Sequence, residues 1–335
     1  MSETTALTEA QHASPADVAE ALRGGSRFLL TTHEGPDGDA LGSLLAMHRI
    51  LGQLGKDSVM FLAAKEFPLP VEYRFLPLEG VFHEPPVDVV DRTIVFLDCG
   101  NIDRMPADFL RRDDALVLNI DHHHDNTRFG TLNLVDTEAS CTAEIVFELA
   151  KLLGARITPE IAVALYVALV TDTGRFMYQN TGAGAHRLAA ELIEAGVDVH
   201  DIYRRLYERV PIEKLHLISR AIERIVLLDD CKLAVTYISA RDYADTGAND
   251  SLTEGIIDHV RALEGTEVAA MIRDKTDDDR AARKVSLRST DGRVDVSAIA
   301  RKRGGGGHAR AAGFSTDLSY TELVEFLCTE VRAQL

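Results

Sequence analysis

Four short runs, RFLLTTH (27–33), DSVMFLA (57–63), TIVFLD (93–98) and ALVLNID (115–121), are rich in apolar, β-branched and aromatic residues and too short to be helices. Between the first two, DALGSLLAMHRILGQLG has apolar residues at helical spacing, an Asp available as N-cap and Gly55 as a stop. Strands alternating with helices in this way predict a parallel sheet flanked by helices. Polar clusters fall just past the C-terminal ends of several of these strands. In open α/β sheets that edge is where ligands bind.

From Ser140 to about Val226 the pattern is mostly helical, and near Cys231 a second unit begins, with strands at KLAVTYIS, TEVAAMIRD and ARKVSLRS and a closing helix YTELVEFLCTEVRAQL. A chain of 335 residues is long for one core. The expected fold class is therefore α/β with two domains: an N-terminal parallel-sheet domain and a smaller C-terminal α/β domain, joined by a helical linker, with the active site in the cleft. The boundaries are drawn at 1–20 for an N-terminal tail, 21–196, 197–228 for the linker and 229–335. The polar stretch DKTDDDRAAR (274–283) is expected as a solvated hairpin tip.

Composition narrows the class of function. No apolar run is long enough to span a membrane, and the N-terminus lacks the basic start and apolar centre of a secretory signal, so no membrane partner and a cytoplasmic location are expected. Cys99, Cys141, Cys231 and Cys328 are widely spaced and are expected as reduced core residues. The formal charge of −17 argues against holding long duplex nucleic acid, which needs clustered Lys and Arg. Residues 288–310 run the other way, with six basic against two acidic side chains, a local +4. A small anionic substrate in a local pocket is compatible with both.

Three of the four candidate constellations sit at strand ends. TTHEGPDGDALGS carries His33, Asp37 and Asp39, with Gly and Pro allowing a sharp backbone path; taken alone, Asp39 would be a helix cap and Asp37 a turn residue. FLDCGNIDR ends an apolar strand on Asp98, which needs a cation or donors if buried, and which alone could cap a helix or pair with Arg104. NIDHHHDN offers Asp121, His122, His123 and His124. LYVALVTDTGRF places Asp172 after a helical stretch, where a turn role is the plain alternative. Together they make four carboxylates and at least two imidazoles able to converge. Four carboxylates in one cleft repel, and two divalent ions would supply the balancing charge. Mixed His and carboxylate ligands suit Mn2+ better than an all-oxygen magnesium shell. Two such ions are the usual device for displacement at phosphorus.

The order HEGPDGDALGS, LDCGNIDR, IDHHHDN, VTDTGRF and GGGGHARAAGF closely resembles the DHH phosphoesterase family, in particular members that carry the DHH-associated C-terminal domain. The resemblance spans about residues 25–330. Its D-H-H-x-x-N pattern sets the frame as Asp121, His122, His123 and Asn126. It implies that His33, Asp37 and Asp98 hold one metal and that Asp39, Asp98, His122 and Asp172 hold the other, with Asp98 bridging. It further implies His123 at the scissile phosphate as donor or general acid, Asp121 as a group orienting an imidazole, and no required role for His124.

The resemblance is nearest to short bacterial enzymes that degrade oligoribonucleotides of a few residues (nanoRNases) and dephosphorylate 3′-phosphoadenosine 5′-phosphate (pAp). It implies partners that are short oligonucleotides and small phosphorylated nucleotides, and a homodimer built on helices of the N-terminal domain. The glycines of GGGGHARAAG, including Gly305, Gly306 and Gly307, let backbone N–H groups approach an anion. With His308, Arg288 and Arg310 they are expected to bind the substrate. Cyclic-di-AMP or pApA hydrolysis, a RecJ-like single-strand exonuclease and a non-catalytic nucleotide sensor are the competing readings.

Overall fold

The structure is a computed structural model that describes residues 11–105, 107–112, 114–208, 210–228, 230–275 and 282–335. Most of the expected hairpin tip at 274–283 lies outside the described residues. The chain divides into two compact units, Met1–Glu208 and Arg209–Leu335. Each is α/β, and the first is the larger.

The first unit is built on a six-stranded, wholly parallel sheet of β1 (Gln11–His12), β2 (Arg27–Thr31), β3 (Asp57–Met60), β4 (Thr93–Leu97), β5 (Val117–Asp121) and β6 (Leu132–Val135), in the order β1-β6-β5-β4-β2-β3. The short pairing β1–β6 is not legible in the sequence, because LNLV is only four residues long and β1 only two. Helices α1 (Pro15–Gly24), α2 (Gly38–Gln53), α3 (Thr142–Leu153), α4 (Pro159–Asp172), α5 (Ala183–Glu194) and α6 (Val199–Tyr203) complete the unit. Helix α1 starts inside the stretch expected as a tail: a Ser14–Asp17 capping box opens it, and Val18, Ala19 and Leu22 are buried in the core. Alternate strand residues feed the two faces of the sheet, with Phe28, Leu30, Val95, Leu97, Leu118 and Ile120 under the helices and Leu29, Ile94 and Phe96 on the other side.

Helix α4 is apolar on every side, and its residues Ile161–Val170 are almost all buried, which makes it the central helix of the unit. Helix α2 crosses it closely. A Cβ at Gly42 would collide with the carbonyl oxygen of Ala164, and one at Gly38 would collide with the Thr171 side chain. The two glycines let the N-terminus of α2 approach the C-terminus of α4.

The second unit holds α7 (Ile212–Glu223), β7 (Val226–Leu228), β8 (Leu233–Ile238), α8 (Ala240–Thr246), α9 (Ile256–Arg261), β9 (Val268–Asp274), β10 (Arg283–Ser289), α10 (Val296–Arg301), β11 (Gly306–His308), β12 (Ala311–Thr316) and α11 (Tyr320–Arg332). Its sheet is mixed, in the order β11-β12-β10-β9-β8-β7, and only the β8–β9 pair is parallel. Leu233, Val235, Ala270 and Val285 pack under α10 and α11; Ala234, Ile238, Ala269 and Met271 pack under α7, α8 and α9.

The expectation of four reduced cysteines is corrected. Cys231 and Cys328 form a disulfide across 97 residues of sequence, while Cys99 and Cys141 are free and buried. Spacing could not reveal the pair, because the fold alone brings the start of β8 against α11. The glycine run contains the edge strand β11, whose Gly306, Gly307 and His308 pair with Gly313, Ala312 and Ala311. No helix among the described residues is long and apolar enough to cross a membrane.

Candidate metal centre

In the first sheet the strand order turns back between β2 and β4, so the chain leaves those two strands in opposite directions around the sheet. The crevice at their carboxyl ends is the place where such sheets present ligand-binding groups. His33 lies two residues past β2, Asp98 one residue past β4, and Asp121 closes β5. Helix α2 brings Asp37 and Asp39 to the same edge, and α4 ends on Asp172.

The structure gathers these side chains into two groups. Ligand atoms of His33, Asp37 and Asp98 lie within 4.8 Å of one another, and so do those of Asp39, His122 and Asp172. Asp98 faces both groups: Oδ2 is 3.7 Å from His33 Nε2, and Oδ1 is 3.6 Å from His122 Nε2. His122 Nε2 is also 3.8 Å from Asp39 Oδ2 and 3.7 Å from Asp172 Oδ2. These separations are too long for hydrogen bonds. They suit groups turned toward a common ion, since donors about 2.0–2.2 Å from a metal lie roughly 3–3.5 Å from each other.

Each carboxylate is held by local structure. Asp37, exposed, is the N-cap of α2, and its Oδ1 accepts from Asp39 N at 3.0 Å and Ala40 N at 3.1 Å. The plain reading that made Asp39 the cap is thereby reversed. Asp39 is buried and caps a different helix: it accepts from the backbone of Thr142 at 2.6 Å and Ala143 at 3.1 Å, at the N-terminus of α3, whose own N-cap Cys141 makes no side-chain cap. The positive end of α3 thus favours the ionised carboxylate. Thr142 Oγ1 donates to Asp98 Oδ1 at 3.0 Å, so one threonine steadies both carboxylates. Asp98 itself has φ 58°, a left-handed conformation that costs an aspartate energy and is typical of sites where geometry outranks comfort. Asn180 donates to Asp172 Oδ2 at 3.1 Å and to the Ser140 carbonyl at 2.8 Å.

Asp121, fully buried, accepts from His123 Nδ1 at 2.7 Å through Oδ1, and Asn126 donates to its Oδ2 at 2.5 Å. The imidazole that Asp121 orients is therefore that of His123. Gly100 passes close beneath this ring, where a Cβ would stand 3.2 Å from His123 Cβ. His124, next in the run, is exposed. Sequence reasoning passed over Thr142, Asn180 and Gly100. The cap-like start of TAEIVF was the one available signal for Thr142.

Electrostatics shows how strongly the cluster calls for positive charge. Burial, reinforced by Asp98, Asp172 and Asp37, drives the Asp39 carboxyl well above the ordinary range. Burial pushes Asp172 up to about 7 against the opposing charge of His122, with Asp98 and Asp37 adding to the rise. Burial would raise Asp98 as well, but the neighbouring His33 imidazole and the charges of His123 and His122 hold it below the ordinary range. His123, whose burial works against its charge, is raised to about 10 by Asp121. Buried carboxylates that partly hold their protons, arranged around two imidazoles, form a donor set suited to divalent cations.

In the second unit Arg288 on β10 and His308 on β11 both align with Ala311 of β12, so they share one row and one face of the sheet. Glycines are required there by packing: a Cβ at Gly305 would strike Gly313 and Phe314, and Gly307, at φ 133°, would strike Ala311. Gly306, by contrast, has open space around it. Arg310 lies over Gly292 and donates to the Asp291 carbonyl, which ties it to the turn after β10.

The DHH family, N-terminal domain, matches residues 27–169, and the DHHA1 domain matches residues 230–335. The chain is 33% identical to the bifunctional oligoribonuclease and PAP phosphatase NrnA of Thermus thermophilus, over 94% of its own length and 93% of that protein's. The chain belongs to the DHH family. A second DHH relative, the bifunctional oligoribonuclease and PAP phosphatase NrnA of Bacillus subtilis, is 28% identical over 86% of this chain and 88% of its own. Among solved structures, an exopolyphosphatase-related protein from Bacteroides fragilis superposes with a TM-score of 0.82 at 22% identity, covering 95% of this chain and 96% of that one. This DHH chain therefore shares that protein's fold over 95% of its length.

Proposed function

We propose that this chain is a divalent-metal-dependent phosphoesterase that hydrolyses short oligoribonucleotides to mononucleotides and removes the 3′-phosphate of pAp to leave AMP. The observation that carries the reading is the pair of groups His33–Asp37–Asp98 and Asp39–His122–Asp172, with Asp98 also facing His122 of the second, in a chain related along nearly all its length to NrnA proteins. In this reading the two groups hold two ions, Mn2+ by the mixture of imidazole and carboxylate donors. Such ions would supply activation of water and neutralisation of charge on the phosphoryl oxygens.

The remaining work falls to the protein. Asp98 offers one oxygen to each group, and the α3 N-terminus and Thr142 keep Asp39 and Asp98 in place. Asp121 and Asn126 fix the His123 ring by Nδ1, and Nε2 is then the nitrogen that gives a proton to the leaving oxygen. Arg288, Gly305, Gly306, Gly307, His308 and Arg310 bind the substrate. The proposed partition keeps metal chemistry within residues 21–196 and substrate binding within 229–335.

Short substrates are favoured because the only strongly basic segment, 288–310, is small and the chain as a whole carries −17. The same reading places the protein in the cytoplasm as a homodimer. A side-by-side assay with manganese on pAp, a ribonucleotide ladder from two to about twenty residues, cyclic-di-AMP and pyrophosphate tests it. Turnover should be highest on pAp and the shortest RNAs. Equal turnover of a dinucleotide and a long strand would remove the length limit, and preference for cyclic-di-AMP would reassign the substrate.

A further inference from the structure

One cation at this centre is not accounted for by the ligand groups or by His123. Arg104 closes the short 3-10 turn Ile102–Arg104, whose start is capped by the Asn101 side chain on Asp103 N at 2.9 Å. Its carbonyl accepts from Glu34 N at 2.8 Å, which ties the turn to the loop that follows β2. Its half-buried guanidinium reaches back to His33, with Nη2 2.8 Å from Nδ1. Among the described residues it forms no ion pair, although the site beside it is rich in carboxylates. Its charge also reaches the His123 ring, where it opposes protonation.

The two contacts at His33 Nδ1 cannot both be hydrogen bonds at once. Nδ1 has two neighbours at the same 2.8 Å: the Glu34 carbonyl, which can only accept, and the Arg104 guanidinium, which can only donate. A single ring nitrogen satisfies one of them. When Nε2 serves as a ligand, Nδ1 carries the ring proton and donates to a carbonyl, the usual arrangement for a metal-bound histidine. Glu34 O then accepts from Nδ1, and Arg104 Nη2 loses its acceptor at His33. An uncompensated guanidinium is costly in a half-buried position and well matched, by its planar fork, to two oxygens of a phosphate.

We propose that Arg104 is a phosphate-binding residue of this centre, held at its edge by His33 and transferred to a non-bridging oxygen of the substrate phosphate when the site is loaded. The proposal rests on the phosphoesterase reading and adds a protein-borne donor to it. It makes the first unit able to recognise phosphate without help from Arg288 and His308.

The test is binding, measured by calorimetry on the full-length chain in manganese, with inorganic phosphate and AMP as probes, for wild type, Arg104→Gln and Arg104→Lys. Manganese content and melting temperature are followed in parallel. Expected is a loss of phosphate affinity of roughly tenfold or more in Arg104→Gln, the scale of a lost hydrogen bond to a charged group. Manganese content and melting temperature should stay unchanged, and Arg104→Lys should recover part of the affinity. Phosphate binding equal to wild type in Arg104→Gln overturns the proposal. So does parallel loss of manganese and phosphate, which would make Arg104 a support for His33. Should Arg104→Gln melt early, Arg104→Lys decides, because it keeps the charge and loses the fork: unchanged affinity overturns the proposal and weakened affinity sustains it. A wild-type protein that binds manganese but no phosphate would instead overturn the phosphoesterase reading, and this inference with it.

Discussion

Three consecutive histidines are separated by what surrounds each of them. His122 faces Asp39, Asp98 and Asp172, His123 is fastened to Asp121, and His124 is exposed. Single alanine substitutions should therefore diverge. His122→Ala should lose bound metal and activity together. His123→Ala should keep its metal and lose about 10²–10⁴-fold in kcat, the range for a positioned acid or base. His124→Ala should stay near wild type; metal analysis beside kcat separates the three, and a His124→Ala loss equal to that of His122→Ala would show the frame to be shifted. The carboxylates give a pH signature in the ion-free protein. Asp39 is raised, and Asp172 goes from 3.8 to about 7. Between those values the folded chain holds protons that the unfolded chain has released, so stability falls as pH rises across that window. The depressed carboxyl of Asp98 acts in the opposite sense, below the window. Melting after chelator treatment should thus drop from about pH 5 to about pH 8, and divalent ions should restore more at the upper end.

At the scale of elements, the α2–α4 crossing sets the distance between Asp39 and Asp172. Gly42 is the residue that permits it, since the atom a side chain would meet is backbone, the Ala164 carbonyl. Gly42→Ala should force the helices apart, costing about 1–3 kcal/mol by overpacking and weakening metal binding, read by melting and by metal titration. The glycines before His308 offer a contrast within one hairpin. Gly305→Ala and Gly307→Ala should lower the stability of the second unit, because both sites collide with β12 or its flanks. Gly306→Ala should leave stability alone, and any loss of phosphate affinity there would report on ligand approach. Helix and strand cores were readable because their period is written in consecutive residues. The four-residue β6 and the edge strand β11 were not, because short strands with glycine or polar residues acquire their state from the neighbour they pair with.

For the whole molecule, the Cys231–Cys328 bridge joins the beginning of the second unit's sheet to its last helix. A crosslink over so long a loop stabilises by about 2–4 kcal/mol, largely by restricting the unfolded chain. Reduction, or the pair Cys231→Ser with Cys328→Ser, should lower the unfolding midpoint of the second unit and leave metal binding by the first unchanged. Calorimetric melting with and without reductant checks this, and an unaltered profile would mean that the thiols are not joined in solution.

The α/β class, the two-unit division and the acids and histidines able to cluster followed from the sequence by itself, because hydrophobic period and the ends of strands and helices are local properties of the chain; the choice among His122, His123 and His124 came from the resemblance to the DHH family. What only the tertiary structure decided is relational. The sequence could not say that Asp37 rather than Asp39 caps α2, that Thr142 holds two carboxylates from elsewhere in the chain, or that Asp121 serves His123. Nor could it place Arg104 beside His33 or join Cys231 to Cys328. Each of these depends on side chains tens of residues apart, or on the direction in which a short polar group turns. Hydrogen-bond partners are chosen by distances of a few tenths of an ångström, and the packed fold alone sets them.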